Sequence, residues 1–292
     1  IDALARERAG GAFRPGEPIV LSVWSRNLPD ILFTAREMDL TALVSDARTQ
    51  ADPEFSLGGI AGYLAGRKTL FDTVVGREAA RWKLDTADTG EHRYHRHDVT
   101  APDAVTKEGA YYIEATGLGL SYAVVVIVSN MGVIEKVDGM QTVAWVVDLE
   151  TGQPVPNVIV GIRELYHLNN ARTSSVDTMV NVADQDGLAS KPHKLTGRRN
   201  NQGWSYGVEV FAAIENRYAM TQRLNQPWWN YDEGVVFRTL IETDRPVYRP
   251  EQEVFFKATL RRKEGGEWKN TPGIAAQVLI QDPKGNKLFD QR

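Results

Sequence analysis

Short runs rich in Val, Ile, Tyr, Phe and Trp, each closed by Gly, Pro, Asn or Asp, recur along almost the whole chain, with no helical period between them. This pattern constrains the fold more than any other feature. β-Branched and aromatic residues suit a pleated, half-buried surface. Turn residues at short intervals join neighbouring strands directly, where a parallel sheet would need helical crossovers. Strands are expected over 19–24, 110–115, 122–128, 141–148, 158–163, 206–214, 235–242, 254–260 and 275–281. The fold class that follows is all-β, built of antiparallel sandwiches.

One segment breaks the pattern. Leu57, Ile60, Tyr63, Leu64, Leu70, Val74 and Val75 fall at mixed steps of three and four residues. That spacing predicts two short helices within 56–83, split at Gly66 and inserted as a cap on the first sandwich. Arg77, Glu78, Arg81 and Lys83 read as their solvated face.

The chain also repeats itself. Phe13-Arg14-Pro15-Gly16-Glu17 before one strand matches Tyr248-Arg249-Pro250-Glu251-Gln252-Glu253 before another. In both, Pro fixes φ at a turn and a strand follows. Two such openings imply two related domains, with a third between them starting near Met131, after Ser129-Asn130. The expected boundaries are 1–128, 129–238 and 239–292, the last piece holding too few strands to close a sandwich. The chain begins with Ile1, and 277–290 reads as a strand, a turn and the start of another strand, so it is expected to be a piece of a longer protein.

Composition removes several function classes. The formal charge is -4, which gives no basic field for a nucleic-acid backbone. No run approaches the ~18 apolar residues of a membrane span. Cysteine is absent, which removes disulfides, zinc-thiolate sites, thiol nucleophiles and an internal thioester from these residues. There is no Gly-x-Ser-x-Gly elbow, phosphate-cradling Gly loop or His-Glu-x-x-His. No catalytic residue, cofactor or metal ligand is therefore assigned, and the chain is expected not to be an enzyme.

A few local features need a structural account. His92, His95 and His97 have spacing compatible with a metal, but Arg93 and Arg96 oppose a cation there. Asp184-Gln185-Asp186-Gly187 has the start of a calcium loop and lacks its later bidentate Glu, so a tight turn is expected. A second turn is expected at Thr151-Gly152, between a strand ending at Asp148 and one resuming near Val158. Trp228 and Trp229, with Tyr231 nearby, are a possible contact patch or an aromatic pair packed between domains. In Asp244-Arg245-Pro246-Val247-Tyr248-Arg249-Pro250 each Pro forces an extended residue before it. Asp244, Arg245, Pro246, Tyr248, Arg249 and Pro250 are read as a rigid domain junction.

That last segment, with Glu253-Val254-Phe255-Phe256-Lys257, closely resembles the opening of a macroglobulin-like domain of the α2-macroglobulins. Three further stretches resemble the bacterial branch. They are 109–115, read as the closing strand of one domain, 142–155, read as two strands of the next, and the Asp-Gly turn at 183–189. Position 251 is Glu where the family motif usually has Gly, so this turn differs in detail. The resemblance implies tandem macroglobulin-like sandwiches acting as scaffold of a periplasmic, broad-spectrum protease trap, often anchored to the inner membrane through a lipidated N-terminus outside these residues. It also implies that a protease cuts a bait region elsewhere in the parent, and that the implied partners are target proteases and neighbouring macroglobulin-like domains, with no cofactor. The alternatives are an adhesin or surface-binding module of similar sandwiches, using the Trp228-Trp229 patch, and an accessory domain of an enzyme.

Overall fold

A computed structural model of the chain describes residues 12–90, 92–137, 141–168, 174–194, 203–221, 224–225, 236–244, 253–264, 267–281 and 285–291. It divides into two compact units, Ile1–Asn230 and Tyr231–Arg292. The first unit opens with β1 (Ala12–Phe13), β2 (Val20–Ser25) and β3 (Asp30–Met38). Four short helices follow, α1 (Leu40–Ser45), α2 (Ala47–Ala51), α3 (Ile60–Leu64) and α4 (Lys68–Val74). Then come β4 (Val75–Asp85), β5 (His95–Thr100), β6 (Gly109–Gly117), β7 (Leu120–Val128), β8 (Met131–Val137) and β9 (Gln141–Asp148). The unit ends with β10 (Ile159–Leu168), β11 (Ser174–Val182), β12 (Leu188–Pro192), β13 (Gly203–Ile214), β14 (Arg217–Met220) and β15 (Leu224–Asn225).

The first sandwich is a sheet in the order β1-β7-β6-β3-β4 facing the β2–β5 pair. Its pairings are antiparallel except β1 with β7. Val23, Val99, Phe33, Tyr111, Ile113 and Val126 fill the space between the two layers. The opening at residues 13–17 folds as expected. Arg14 N–H donates to the Glu17 carboxylate at 3.0 Å, Glu17 N–H returns to the Arg14 carbonyl at 3.0 Å, and Gly16 has φ +76°. The second copy of this opening lies largely outside the described residues.

The helical insertion differs from the expectation in extent and position. Helices occupy Leu40–Val74, beginning well before residue 56, and α3 and α4 do separate around Gly66, whose φ is +79°. Residues from 75 to 83 are strand. β4 pairs along β3, placing Trp82 opposite Phe33 with the rings stacked at 5.2 Å. The helix-forming Arg, Glu and Ala of this stretch yield to a partner strand, because tertiary pairing overrides weak local propensity. Nor do the helices cap an outer face. Leu40, Leu43, Phe55, Leu64 and Leu70 pack against Ala110, Tyr112 and Ile127 of the first sandwich and against Phe211, Ala213 and Tyr218 of the second. The helical layer is shared by two sheets, each buried on both faces there.

The second sandwich faces a β11-β10-β13-β14 sheet, with β15 added on β13, against β12-β9-β8. Val146, Val160, Ile162, Val208 and Val210 form its core. Its turns are built from side-chain acceptors. Asp148 Oδ1 accepts from the N–H of Glu150 and Thr151 at 3.0 and 2.9 Å. Asp184 Oδ1 accepts from Asp186 and Leu188 N–H, each at 2.9 Å, so the Asp-Gly segment is a tight turn. Gly187 is required there: its φ is +72°, and a Cβ would sit 2.6 Å from the Val146 carbonyl.

The second unit has a sheet of β16 (Val236–Thr243), β17 (Phe256–Glu264) and β18 (Glu267–Asn270), and a hairpin of β19 (Val278–Gln281) and β20 (Lys287–Gln291). The expected boundary at 238/239 falls inside β16, whose partner is β17. Phe256 and Phe289 meet edge to face at 6.1 Å. Leu240 and Ile241 point to opposite faces of β16, and both are exposed.

Candidate functional site

β10 alternates between two environments. Val160 and Ile162 point into the second sandwich, while Gly161 and Arg163 point at the helical layer. Arg163 sits directly across from Glu209 on β13, in an otherwise apolar neighbourhood. Both are buried, at 4% and 0% exposure. Burial of an ion pair costs several kcal/mol per ion unless the remaining donors and acceptors are satisfied, roughly in balance with the attraction.

The helical segment supplies those partners. Arg163 donates through Nη1 to the Thr49 carbonyl at 2.6 Å, and through Nη2 to the Asp52 and Phe55 carbonyls, each at 3.2 Å. Its Nε lies 3.4 Å from Glu209 Oε2, and its guanidinium stacks over Phe55 at 4.7 Å. Ser56 Oγ donates to Glu209 Oε1 at 2.8 Å. One strand away, Thr178 Oγ1 on β11 donates to the Gln50 carbonyl at 2.9 Å.

Apart from the Arg163–Glu209 pair itself, each of these contacts joins 49–56 to the β10–β11–β13 face. The stretch between α2 and α3 has little regular structure to absorb its carbonyls, and the planar five-donor guanidinium gathers three of them at once. Within the segment, Tyr63 donates its hydroxyl to Asp52 at 2.9 Å, and Arg67 lies over the Tyr63 ring at 3.9 Å. Burial, and then the hydrogen bond to Asp52, raise the Tyr63 phenol above its ordinary value. The arrangement is a polar joint.

Beside the joint, a cleft of about 480 Å³ opens between the start of α1, the end of α4 and the β13–β14 turn. Two of its three carboxylates are engaged. Glu37 accepts both Nε and Nη2 of Arg77 at 2.7 and 2.8 Å, which holds it below the usual carboxylate range, and Asp39 caps α1 by accepting from Ala42 N–H at 2.8 Å.

The residues singled out in the sequence sit elsewhere. Asp244 accepts from Phe255 N–H at 3.2 Å and donates its own N–H to the Phe255 carbonyl at 3.1 Å, where β16 meets β17. Arg245, Pro246, Tyr248, Arg249 and Pro250, and Trp228 and Trp229, lie outside the described residues. The histidines are drawn into separate local bonds: His92 Nδ1 with Asn27 at 2.8 Å, and His97 Nε2 with Ser25 at 3.0 Å. Among the described residues no group of three or more His, Asp or Glu is placed to hold a metal. Sequence reading passed over Arg163 and Glu209. The available signal was charge inside two runs that are otherwise apolar, Arg163 and Glu164 in 158–165 and Glu209 in 208–213.

No protein-family model matches the chain, and no curated protein matches it. Several solved structures align with it. One is native alpha-2-macroglobulin from Escherichia coli spanning domains NIE-MG1, at 13% identity and a TM-score of 0.43, covering 70% of this chain and 97% of that one. The Escherichia coli structure spanning MG0-NIE-MG1 gives 14% and 0.42, covering 72% of this chain and 62% of that one. A Salmonella alpha-2-macroglobulin mutant gives 16% and 0.39, covering 98% of this chain and 16% of that one. The chain thus spans less than two thirds of the second structure and a small part of the third. TM-scores below 0.5 do not establish a shared fold, and the functional reading rests on the sequence motifs and the architecture.

Proposed function

We propose that this chain is a scaffold segment of a bacterial α2-macroglobulin-like protease trap of the cell envelope. The observation that carries the reading is the joint centred on Arg163. It ties a helical layer to the second sandwich while the same layer shares a core with the first. A mechanical element of a trap must pass on displacement without dissipating it, and two sandwiches set on one shared layer suit that task. The motif at 243–250 and the stretches at 109–115, 142–155 and 183–189 support the same family. Target proteases would be met through the parent protein, and the modules would be divided near 128 and near 230, where the two compact units part.

The setting proposed is extracytoplasmic, with any lipid anchor outside these residues. Among the described residues no helix is long and apolar enough to cross a membrane. A surface-binding module is the second reading. It is favoured by a row of exposed apolar side chains, Ile134, Trp145 and Leu188, that lie side by side across β8, β9 and β12.

The test begins with the gene. Sequencing both sides of this segment gives the parent, which is then expressed and mixed with trypsin. A trap blocks cleavage of large protein substrates and leaves cleavage of a small peptide substrate intact. A parent that leaves trypsin active on proteins, or continues into unrelated domains, sinks the reading in favour of a binding module.

A further inference from the structure

The second sandwich holds a lysine between two carboxylates. Lys191 on β12 reaches across from one sheet to the other, where Glu164 on β10 and Asp177 on β11 are direct cross-strand partners. Lys191 Nζ lies 2.7 Å from Asp177 Oδ2 and 3.1 Å from Glu164 Oε2, and also donates to the Pro192 carbonyl at 3.1 Å. Lys191 is 3% exposed and Glu164 is fully buried, whereas the Asp177 side chain is 39% exposed. Glu164 Oε2 also accepts from Lys194 N–H at 2.7 Å, while its buried Oε1 has no hydrogen-bond partner. An amine, a carboxyl in van der Waals contact with it, and a second carboxylate with a vacant oxygen therefore meet at one point.

We propose that Lys191 and Asp177 condense spontaneously to an amide, with Glu164 carrying the protons, so that a covalent staple joins the two sheets of the second sandwich. The step balances without an oxidant or cofactor. Glu164 takes a proton from the Lys191 ammonium and passes it to the Asp177 carboxylate. The free amine attacks Cγ of Asp177, and the C–N bond forms. Glu164 then takes a second proton from the nitrogen and delivers it to the departing oxygen. The C–O bond breaks, water leaves, and Glu164 is again a carboxylate. The charges of ammonium and carboxylate cancel in the product.

Three features assign the roles. Asp177 makes the shorter contact with Nζ, at 2.7 Å against 3.1 Å for Glu164, and is therefore assigned as the electrophile. Glu164 is pinned by a backbone N–H and keeps one oxygen open for a proton, which suits a general base and acid. Asp177 lies at the partly open side, where the released water can escape. The chain has no cysteine, so no disulfide can tie its sheets.

The test is intact-mass spectrometry of the full 292-residue chain, followed by peptide mapping under reducing, denaturing conditions. The expected mass is that of the sequence minus one water, with a branched peptide joining Asp177 to Lys191. Glu164→Gln, and separately Lys191→Arg, are expected to restore the full mass. The wild-type result alone decides if a variant fails to fold. A wild-type chain of full mass after prolonged incubation overturns the proposal. So does a water loss that maps to a succinimide at Asp186-Gly187, or a link from Lys191 to Glu164. Loss of water that persists in Glu164→Gln overturns the role given to Glu164.

Discussion

Strand β10 buries a carboxylate or a cation on each of its two faces, and the two sites are solved in opposite ways. On the helical side Arg163 has one carboxylate and three backbone carbonyls. On the sandwich side Lys191 has two carboxylates and one carbonyl. Guanidinium is planar, permanently charged and forked, so it suits the gathering of irregular backbone. The lysine amine is compact and can lose its proton, so it suits a covalent step. The same strand thus supports a reversible joint on one face and the proposed permanent one on the other.

The strongest way to break this comparison is Arg163→Ala. It leaves Glu209 buried without its cation and strips three carbonyls of a donor. The expected loss is about 3–5 kcal/mol, read by urea denaturation of the whole chain. Arg163→Met with Glu209→Met together is expected to recover only the part of that loss that comes from the unpaired carboxylate, because apolar side chains can replace a buried ion pair while the three carbonyls still lack their donor. Arg77→Ala is the control. Its pair with Glu37 has equally short bonds but lies in solvent, and no change in midpoint is expected. Equal losses for Arg163→Ala and Arg77→Ala would remove the joint from the account of this fold.

The opposite face sharpens the contrast. Glu164→Leu with Lys191→Met also deletes a buried pair, yet recovery is not expected there. If the amide forms, the double variant loses a short covalent loop, a loss of about 2–4 kcal/mol on the scale of other crosslinks. Matching stability for wild type and this double variant would mean that both faces carry ordinary ion pairs.

Much of this was legible in the sequence. Alternation announced the strand at 141–148, and near-continuous runs of apolar and β-branched residues announced those at 110–115 and 158–163, which are buried on both faces. The turns at Gly16, Thr151-Gly152 and Asp184–Gly187 were carried by residues whose chemistry is local. The 75–83 stretch misled because Arg, Glu and Ala favour helix in isolation, and only pairing with β3 makes it a strand. The start of the helical layer at Leu40 was missed for a related reason: α1 and α2 are short, held by the Asp39 and Asp46 caps and by burial against two sandwiches. The Arg163–Glu209 and Lys191–Asp177 sites join residues that are distant in sequence or on different sheets, and no local pattern encodes such a meeting. The charges inside otherwise apolar runs, Arg163 and Glu164 in 158–165 and Glu209 in 208–213, were the trace they left.

A smaller effect is expected at the rim of the joint. Ser56→Ala removes one hydroxyl that donates to Glu209, while Arg163 stays in place. The expected loss is about 1–2 kcal/mol, between a missing hydrogen bond and a partly unsatisfied buried acceptor. Hydrogen exchange locates it: faster exchange confined to the helical layer supports a joint that opens locally, whereas uniform acceleration in every strand would mean that the layer has no opening of its own.

The smallest expected effect concerns Glu135 on β8, which accepts from Thr221 Oγ1 at 2.7 Å. Burial, and then the nearby charge of Glu209, push its carboxyl above the ordinary range, against the lowering by the Thr221 hydroxyl. A carboxyl raised in the fold contributes stability that is complete below its unfolded value and is lost as pH rises through its folded value. At neutral pH the ionised group therefore detracts, and Glu135→Gln is expected to be more stable than wild type there. The gap should narrow as pH falls toward about 4, where the folded form is protonated and the unfolded form is becoming so. Urea midpoints of the two proteins from pH 4 to 8 measure it. In a Glu209→Gln background the gap should narrow, since one of its causes is gone. A gap that stays constant across the range, or is unchanged by Glu209→Gln, would show that the helical joint and the β8 edge do not share their charges.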